Sequence, residues 1–218
     1  TLLNLSTIDL DNLKETRVSR QKKTTSASNI INKDVLITET YIPGLKNSPK
    51  VRTIVYKPIV NEKNLPGLLW IHGGGYVLGN PERDNHLCIQ IATELQGVVV
   101  SVDYRLAPES PFPSALNDCY ATLVWMSNNS REIGINNKRI AVAGASAGGG
   151  LATSISLLAR DLNGPKLAFQ MPLYPMIDDR NATPSSYEII DKRVWNRHVN
   201  IKAWRMYLGQ EQQVSVSE

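Results

Sequence analysis

Two short glycine-rich motifs carry the residues most able to do chemistry. The first reads His-Gly-Gly-Gly at residues 72–75 and follows an apolar run. The second reads Gly-Ala-Ser-Ala-Gly at residues 144–148 and also follows an apolar run. A serine between two glycines is typical of a nucleophile elbow, a sharp turn from strand to helix. Backbone rich in glycine can come close to a developing negative charge. Together the motifs predict acyl transfer by a serine nucleophile.

Ser146 is the candidate nucleophile. A serine hydroxyl reacts poorly at neutral pH and needs a neighbouring base to take its proton. Gly144 and Gly148 would let strand and helix approach closely enough to force the serine into a tight turn. A helix that starts near Ala147 would point the positive end of its dipole at the reacting carbonyl. We therefore expect the Ala147 N–H to be one donor of an oxyanion hole.

The histidine–glycine motif would supply the remaining donors. We expect the backbone N–H groups of Gly74 and Gly75 to face the oxyanion, with His72 and Gly73 supporting the motif. Side chains at these positions would obstruct the carbonyl group of a substrate. One such donor typically contributes about 3 kcal/mol of transition-state stabilisation.

A phosphate cradle is the main alternative interpretation of the glycines. The dinucleotide pattern Gly-x-Gly-x-x-Gly fails by one position, because Gly73 and Gly75 are followed by Leu78 and only then by Gly79. A P-loop is excluded by the absence of Gly-Lys-Ser and Gly-Lys-Thr. Acyl transfer needs only a nucleophile, a base and oxyanion donors, so no metal and no cofactor is expected.

Apolar runs indicate the strands that must position the two motifs. After Pro66 four short runs alternate with helical patterns, which favours a parallel sheet covered by helices on both faces. Before it, residues 34–41 and 51–57 alternate between apolar and polar, as in antiparallel strands with one wetter face. Sites in parallel sheets form beyond the carboxyl ends of the strands, where both motifs lie. The four runs are Leu68–Ile71, Val98–Val102, Ile140–Ala143 and Phe169–Leu173.

Helical spacing of apolar residues predicts the helices between these strands. One stripe runs from Leu87 to Leu95, with Asp84 as its N-cap. We predict three regions: an N-terminal cap or flexible segment over 1–33, an α/β core over 34–182, and a cap or linking helical region over 183–218. Further helices are expected near Leu10–Val18 and Val199–Leu208, and Lys22–Asn29 is expected to be flexible.

Composition excludes several classes of protein. The 218 residues are 42% apolar and 20% charged, with a net charge of +4, as in an ordinary globular domain. The densest basic stretch, Arg20–Lys23, is too short to indicate a nucleic-acid interface. No stretch reaches the roughly 18 apolar residues of a membrane span. Two cysteines on apolar helix faces, Cys88 and Cys119, suggest reduced thiols and a cytoplasmic location. The sequence gives no indication of the oligomeric state.

Five motifs in one order resemble the hormone-sensitive-lipase-like family of carboxylesterases, which has the α/β-hydrolase fold. The resemblance spans residues 35–180, and Ala145 departs from it, since this family often carries Asp beside the nucleophile. It implies that Ser146 attacks an ester carbonyl, that His72 shapes the glycine loop, and that Arg105 and Glu109 form a structural ion pair. The motifs are His-Gly-Gly-Gly-Tyr-Val-Leu-Gly at 72–79, Val-Asp-Tyr-Arg-Leu-Ala-Pro-Glu at 102–109, Pro-Phe-Pro-Ser-Ala at 111–115, Gly-Ala-Ser-Ala-Gly-Gly at 144–149 and Tyr-Pro at 174–175.

No base for the serine is recognisable among the three histidines. In this fold the acid and then the histidine follow the serine. His86 falls outside the apolar stripe of its helix and should face solvent, and His198 should be exposed or packed in a cap. Asp178 and Asp179 are expected to have loop roles. We expect the protein to continue beyond Glu218, where the last strands, the acid and the histidine would lie.

These features predict a hydrolase of short- to medium-chain carboxylic esters, acting on a small-molecule substrate through an acyl-serine intermediate. Two alternatives remain open from the sequence. One is a ligand-binding pseudoenzyme, like the plant gibberellin receptors that resemble this family. The other is an amidase or formamidase on the same scaffold.

Overall fold

A six-stranded sheet forms the centre of the protein in a computed structural model that describes residues 8–21, 32–193 and 195–210. The strands lie in the order β1-β2-β4-β3-β5-β6. Strands β3 to β6 are mutually parallel, whereas β2 is antiparallel to both of its neighbours. The mostly parallel sheet with an antiparallel edge agrees with the prediction. The strands are β1 Val35–Ile42, β2 Val51–Pro58, β3 Leu65–Ile71, β4 Val98–Asp103, β5 Ile135–Ala145 and β6 Phe169–Leu173.

Helices cover both faces of the sheet. Because side chains alternate along a strand, Leu69 of β3 joins a large core cluster while Leu68 and Trp70 join a smaller one. Helices α3 and α5 contribute to the large cluster, and α2 contributes to the small one. Burial on two faces explains why the central strands are nearly continuous apolar runs. The helices are α1 Leu13–Gln21, α2 Asn85–Glu94, α3 Ser114–Asn128, α4 Ser130–Ile133, α5 Ala147–Asp161, α6 Pro184–Glu188 and α7 Arg197–Tyr207, with a short 3₁₀ helix at Pro81–Asp84.

Helix α2 departs from its predicted packing. Asp84 occupies the N-cap position, but its side chain forms no capping hydrogen bond and instead accepts the Trp70 indole N–H at 2.8 Å. Cys88 and Ala92 are buried as expected, whereas Leu87 and Leu95 are exposed. The predicted apolar stripe of α2 is therefore wider than its buried face. Leu87 lies outside that face because it lines a cavity rather than packing on the sheet.

Two helices outside the sheet pack against the loop that follows the histidine–glycine motif. In α7, Trp204 and Tyr207 are buried, and Tyr207 stacks on Tyr76 with ring centroids 3.9 Å apart. Helix α1 begins at Leu13, three residues later than predicted, because Asp9 accepts backbone hydrogen bonds in the preceding turn. The segment predicted to be flexible, Lys22–Asn29, and the tail after residue 210 lie outside the described residues.

The predicted ion pair between Arg105 and Glu109 is wrong. Arg105 binds Asp118 of α3 through both its Nε and Nη2 atoms, with Nη2 2.8 Å from Oδ1. Glu109 instead pairs with Arg17 of α1 at 2.7 Å. Asp118 is almost fully buried, so the Arg105 guanidinium satisfies a carboxylate that would otherwise be costly to bury.

No helix in the described part of the chain has the length and apolar character needed to cross a membrane.

Candidate active site

Ser146 lies on a strained turn between β5 and α5. Its backbone has φ 55° and ψ −116°, a conformation that a residue other than glycine rarely adopts. The Ser146 N–H donates to the Leu173 carbonyl at 2.9 Å, and the Ser146 carbonyl accepts from the N–H groups of Gly150 and Met176, each at 2.9 Å. Three hydrogen bonds therefore hold the turn in a conformation that the isolated backbone would avoid.

The glycines beside Ser146 are required by close backbone approach. A Cβ atom added to Gly148 would overlap the carbonyl oxygen of Ile71 at the end of β3. A Cβ atom on Gly144 would overlap the Gly148 carbonyl oxygen, since strand and helix cross there without room for a side chain. A side chain at either position would push strand and helix apart beside Ser146.

The histidine–glycine motif reaches the same point from the end of β3. A Cβ atom on Gly73 would lie 3.5 Å from the Ser146 Cβ atom, so the loop runs directly beside the serine. Gly74 has φ 137°, and its carbonyl accepts the N–H groups of Val77 at 3.2 Å and Leu78 at 2.9 Å. These two bonds close a tight turn that depends on the freedom of glycine at positive φ.

Three backbone N–H groups near Ser146 are free of protein partners. In residues 8–21, 32–193 and 195–210, no hydrogen bond is donated by the N–H groups of Gly74, Gly75 or Ala147. The Ala147 N–H belongs to the first turn of α5, where a helix leaves its N–H groups unsatisfied. The two glycines line a cavity together with Ser146. Free donors beside a nucleophile are what an oxyanion requires.

His72 is buried beneath the glycine loop and does not line the cavity. Its ring is fully buried and stacks on Tyr104 with centroids 4.2 Å apart. Its Nδ1 atom lies 2.9 Å from the Gly73 carbonyl oxygen, which can only accept, so Nδ1 carries the proton. Burial lowers the pKa of His72, which favours the neutral ring. The loop-shaping role of His72 stays a prediction.

The other candidates for a base or acid lie away from Ser146. Both His86 and His198 are exposed, and none of the chain's three histidines lines the cavity. The Arg180 side chain lowers the pKa of Asp178 to about 2, because its guanidinium donates to both carboxylate oxygens. Asp179 is exposed in the same loop after β6. No side chain in the described part of the chain hydrogen-bonds to the Ser146 hydroxyl.

The cavity above Ser146 has a volume of about 310 Å³, within the range of small-molecule sites. Large apolar side chains supply much of its wall, and three charged residues line it as well. The apolar residues are Ile8, Trp70, Leu78, Leu87, Leu173 and Trp195, and the charged residues are Arg20, Arg83 and Asp84.

Sequence reasoning missed most of this wall. The Trp195 ring lies against Gly75 so closely that a Cβ atom on the glycine would overlap it. The Trp195 indole N–H donates to Asn200 at 2.8 Å, which fixes the ring through α7. No spacing in the sequence connects residue 195 to residue 75. For Arg20, the spacing was informative, because residues 17 and 20 lie three apart and so share one face of the predicted helix.

Comparison with known proteins places these features in a family. Residues 68–217 match the family model described as the α/β-hydrolase fold. The chain is 43% identical to carboxylesterase NlhH of Mycobacterium tuberculosis over 145 residues, which is 66% of this chain and 46% of that protein. It is 43% identical to an arylesterase of Saccharolobus solfataricus over 124 residues, covering 56% of this chain and 40% of the relative. The chain spans about half the length of the curated relatives that it matches.

Solved structures agree with the sequence relatives. A bacterial heroin esterase superposes with a TM-score of 0.91 at 38% identity, covering 96% of this chain and 66% of that one. An esterase from Pyrobaculum calidifontis superposes with a TM-score of 0.82 at 33% identity, covering 93% of this chain and 67% of that one. The resemblance that the motifs indicated is confirmed, and the chain belongs to the α/β-hydrolase fold family.

Proposed function

We propose that the protein hydrolyses carboxylic esters through an acyl-serine intermediate on Ser146. The observation that carries this proposal is the strained Ser146, which lines a cavity with Gly74 and Gly75 and lies beside three backbone N–H groups that donate no hydrogen bond within the described residues. The relatives named carboxylesterase and arylesterase support the same reaction class.

In the proposed first step, the Ser146 Oγ atom attacks the ester carbonyl carbon and its proton passes to a base. The carbonyl oxygen becomes an oxyanion that accepts from the N–H groups of Gly74, Gly75 and Ala147. The carbon–oxygen bond to the alcohol breaks, and the base returns the proton to the departing alkoxide. Water then attacks the acyl-serine by the same route and releases the acid.

The base is the part of this scheme that the chain's histidines do not supply. Burial favours the neutral ring of His72, which does not line the cavity, and the other two histidines are exposed away from the cavity. The proposal therefore assigns the histidine and its acid partner to a segment outside these 218 residues. A triad without its histidine keeps only residual activity from the oxyanion donors and binding.

The cavity supports short- to medium-chain acyl groups as substrates. Its volume of about 310 Å³ suits a small ester, and its apolar side chains suit an alkyl chain.

The free, buried thiols of Cys88 and Cys119 further support a cytoplasmic location for the protein.

The test is hydrolysis of p-nitrophenyl butyrate by the full-length protein. Ser146→Ala should lower kcat by about 10⁴-fold or more, because the nucleophile is lost. Ser154→Ala is a matched control, since this serine lies on α5 and its hydroxyl donates only to the Gly150 carbonyl. The control should keep nearly full activity. Turnover that persists in Ser146→Ala would refute the proposal.

A further inference from the structure

Helix α1 is fixed over the cavity by Arg17. The Arg17 Nε atom donates to the Val77 carbonyl at 2.9 Å, and Nη2 donates to the Ala107 carbonyl at 2.7 Å. The Glu109 carboxylate accepts from Nη1 at 2.7 Å. These bonds hold one face of α1 against the loop after the histidine–glycine motif. Residues three apart share a helix face, so the same docking carries Arg20 to the cavity wall.

A second guanidinium reaches this cavity from the 3₁₀ helix. Arg83 lines the wall, and its backbone N–H donates to the Asn80 side chain at 3.2 Å. Burial lowers the pKa of Arg20, and the positive charge of Arg83 lowers it further. Across the described residues, neither guanidinium forms an ion pair or hydrogen bond with an acidic side chain. Two like charges thus share one cavity, and neither is paired with an acidic side chain of the described residues.

Asp84 is the one carboxylate among the cavity-lining residues that the structure describes. Its Oδ2 atom accepts the Trp70 indole N–H at 2.8 Å, so this carboxylate already has a partner. Positive groups therefore outnumber negative ones at the wall by two to one. Leu78, Leu87 and Trp195 give the cavity an apolar surface as well.

We propose that Arg20 and Arg83 form an anion-binding subsite that selects esters carrying a carboxylate a few carbons from the ester group. This inference rests on the proposed esterase function. Guanidinium groups bind carboxylates through charge-assisted hydrogen bonds, often in pairs. A bound carboxylate would offset the repulsion between the two guanidiniums, while the apolar wall covers the methylene groups of the substrate.

The kinetic test compares matched esters in the full-length protein. Monomethyl adipate carries the carboxylate on the acyl side, and 4-acetoxybutanoate carries it on the alcohol side. Methyl adipamate and 4-acetoxybutanamide are their uncharged isosteres. At least one carboxylate ester should have a higher kcat/KM than its amide, and Arg20→Gln or Arg83→Gln should each lower that value by about tenfold. The isosteres should change by less than about twofold.

The control is Arg160→Gln, which removes an exposed arginine at the end of α5 that pairs with Asp161. It should leave the preference for the carboxylate ester unchanged. Added salt should reduce the preference, because ionic screening weakens an exposed charge contact. Equal loss on charged and uncharged esters in the two test variants, or no preference in the unaltered protein, would overturn the subsite.

A binding measurement separates this proposal from the esterase proposal. Calorimetric titration of the Ser146→Ala protein with monomethyl adipate and with 4-acetoxybutanoate needs no turnover. Binding of either that is weakened by Arg20→Gln or Arg83→Gln supports the subsite even if no ester is hydrolysed. Hydrolysis of uncharged esters combined with no arginine-dependent binding would refute the subsite and leave the esterase function standing.

Discussion

At the scale of single residues, the serine turn depends on a glycine that leaves no room for a side chain. A Cβ atom on Gly148 would meet the Ile71 carbonyl oxygen, which belongs to the backbone of a central strand and cannot turn aside. We predict that Gly148→Ala destabilises the protein by about 1–3 kcal/mol and lowers the melting temperature by several degrees. Thermal unfolding followed by circular dichroism measures this change.

The matched control is Gly67→Ala in strand β3. A Cβ atom there would approach the Cδ1 atom of the Ile135 side chain at 2.8 Å, and that methyl group can rotate away. The control should therefore cost clearly less than Gly148→Ala. Equal melting temperatures for the two variants would contradict the assignment of the Gly148 contact as a rigid backbone crossing.

Residue chemistry was predictable where backbone geometry dictates the amino acid. Positive φ and close crossings force glycine, so the motifs at 72–75 and 144–148 were recognisable from their spacing. Ion pairs were not predictable, because charged side chains are long and choose partners by tertiary proximity. Arg105 forms its ion pair with the buried carboxylate of Asp118. Glu109 pairs with Arg17 of α1, which lies 92 residues earlier in the chain.

At the scale of elements, one arginine anchors α1 to the core through hydrogen bonds. The two carbonyl contacts of Arg17 are part-buried, whereas its Glu109 partner is largely exposed and so contributes less. We predict that Arg17→Gln weakens the docking of α1 by about 1.5–3 kcal/mol, because two carbonyl groups lose the charged donor of their hydrogen bonds. Amide hydrogen exchange over residues 13–21 should then become faster, while exchange in the central strands stays the same.

Lys14→Gln provides the control on the same helix, because Lys14 is exposed and also carries one positive charge. It should leave the exchange rates close to those of the unaltered protein. Matching exchange profiles for the two variants would mean that the backbone contacts of Arg17 do not anchor the helix. The same measurement bears on the anion subsite, since loosening α1 would also displace Arg20.

Element types were easier to predict than element ends. Apolar runs identified the central strands because both sheet faces are buried, yet β5 extends five residues before the run that begins at Ile140. Its first part, Ile135–Arg139, contains exposed polar residues, so no continuous apolar run marks it in the sequence. The residues of the cavity wall were harder to predict than the element ends. They come from α1, the 3₁₀ helix and the segment before α7, which lie far apart in sequence.

At the scale of the whole molecule, β6 forms one edge of the sheet that the structure describes. In the part of the chain that the structure describes, β6 pairs only with β5. Phe169 is 61% exposed and Met171 is 37% exposed on the same face of β6. An edge strand with free backbone groups and apolar side chains is a template for pairing with another chain.

We predict that these 218 residues, expressed by themselves, self-associate through β6, and that Phe169→Lys raises the concentration at which they stay monomeric. A lysine on the edge repels a second copy and leaves the sheet interior untouched. Light scattering across a concentration series measures the effect. Leu162→Lys is the control, since Leu162 has a similar exposure of 59% but lies at the end of α5. If both lysines suppress association equally, net charge rather than the β6 edge governs it, and a chain that stays monomeric throughout refutes the prediction.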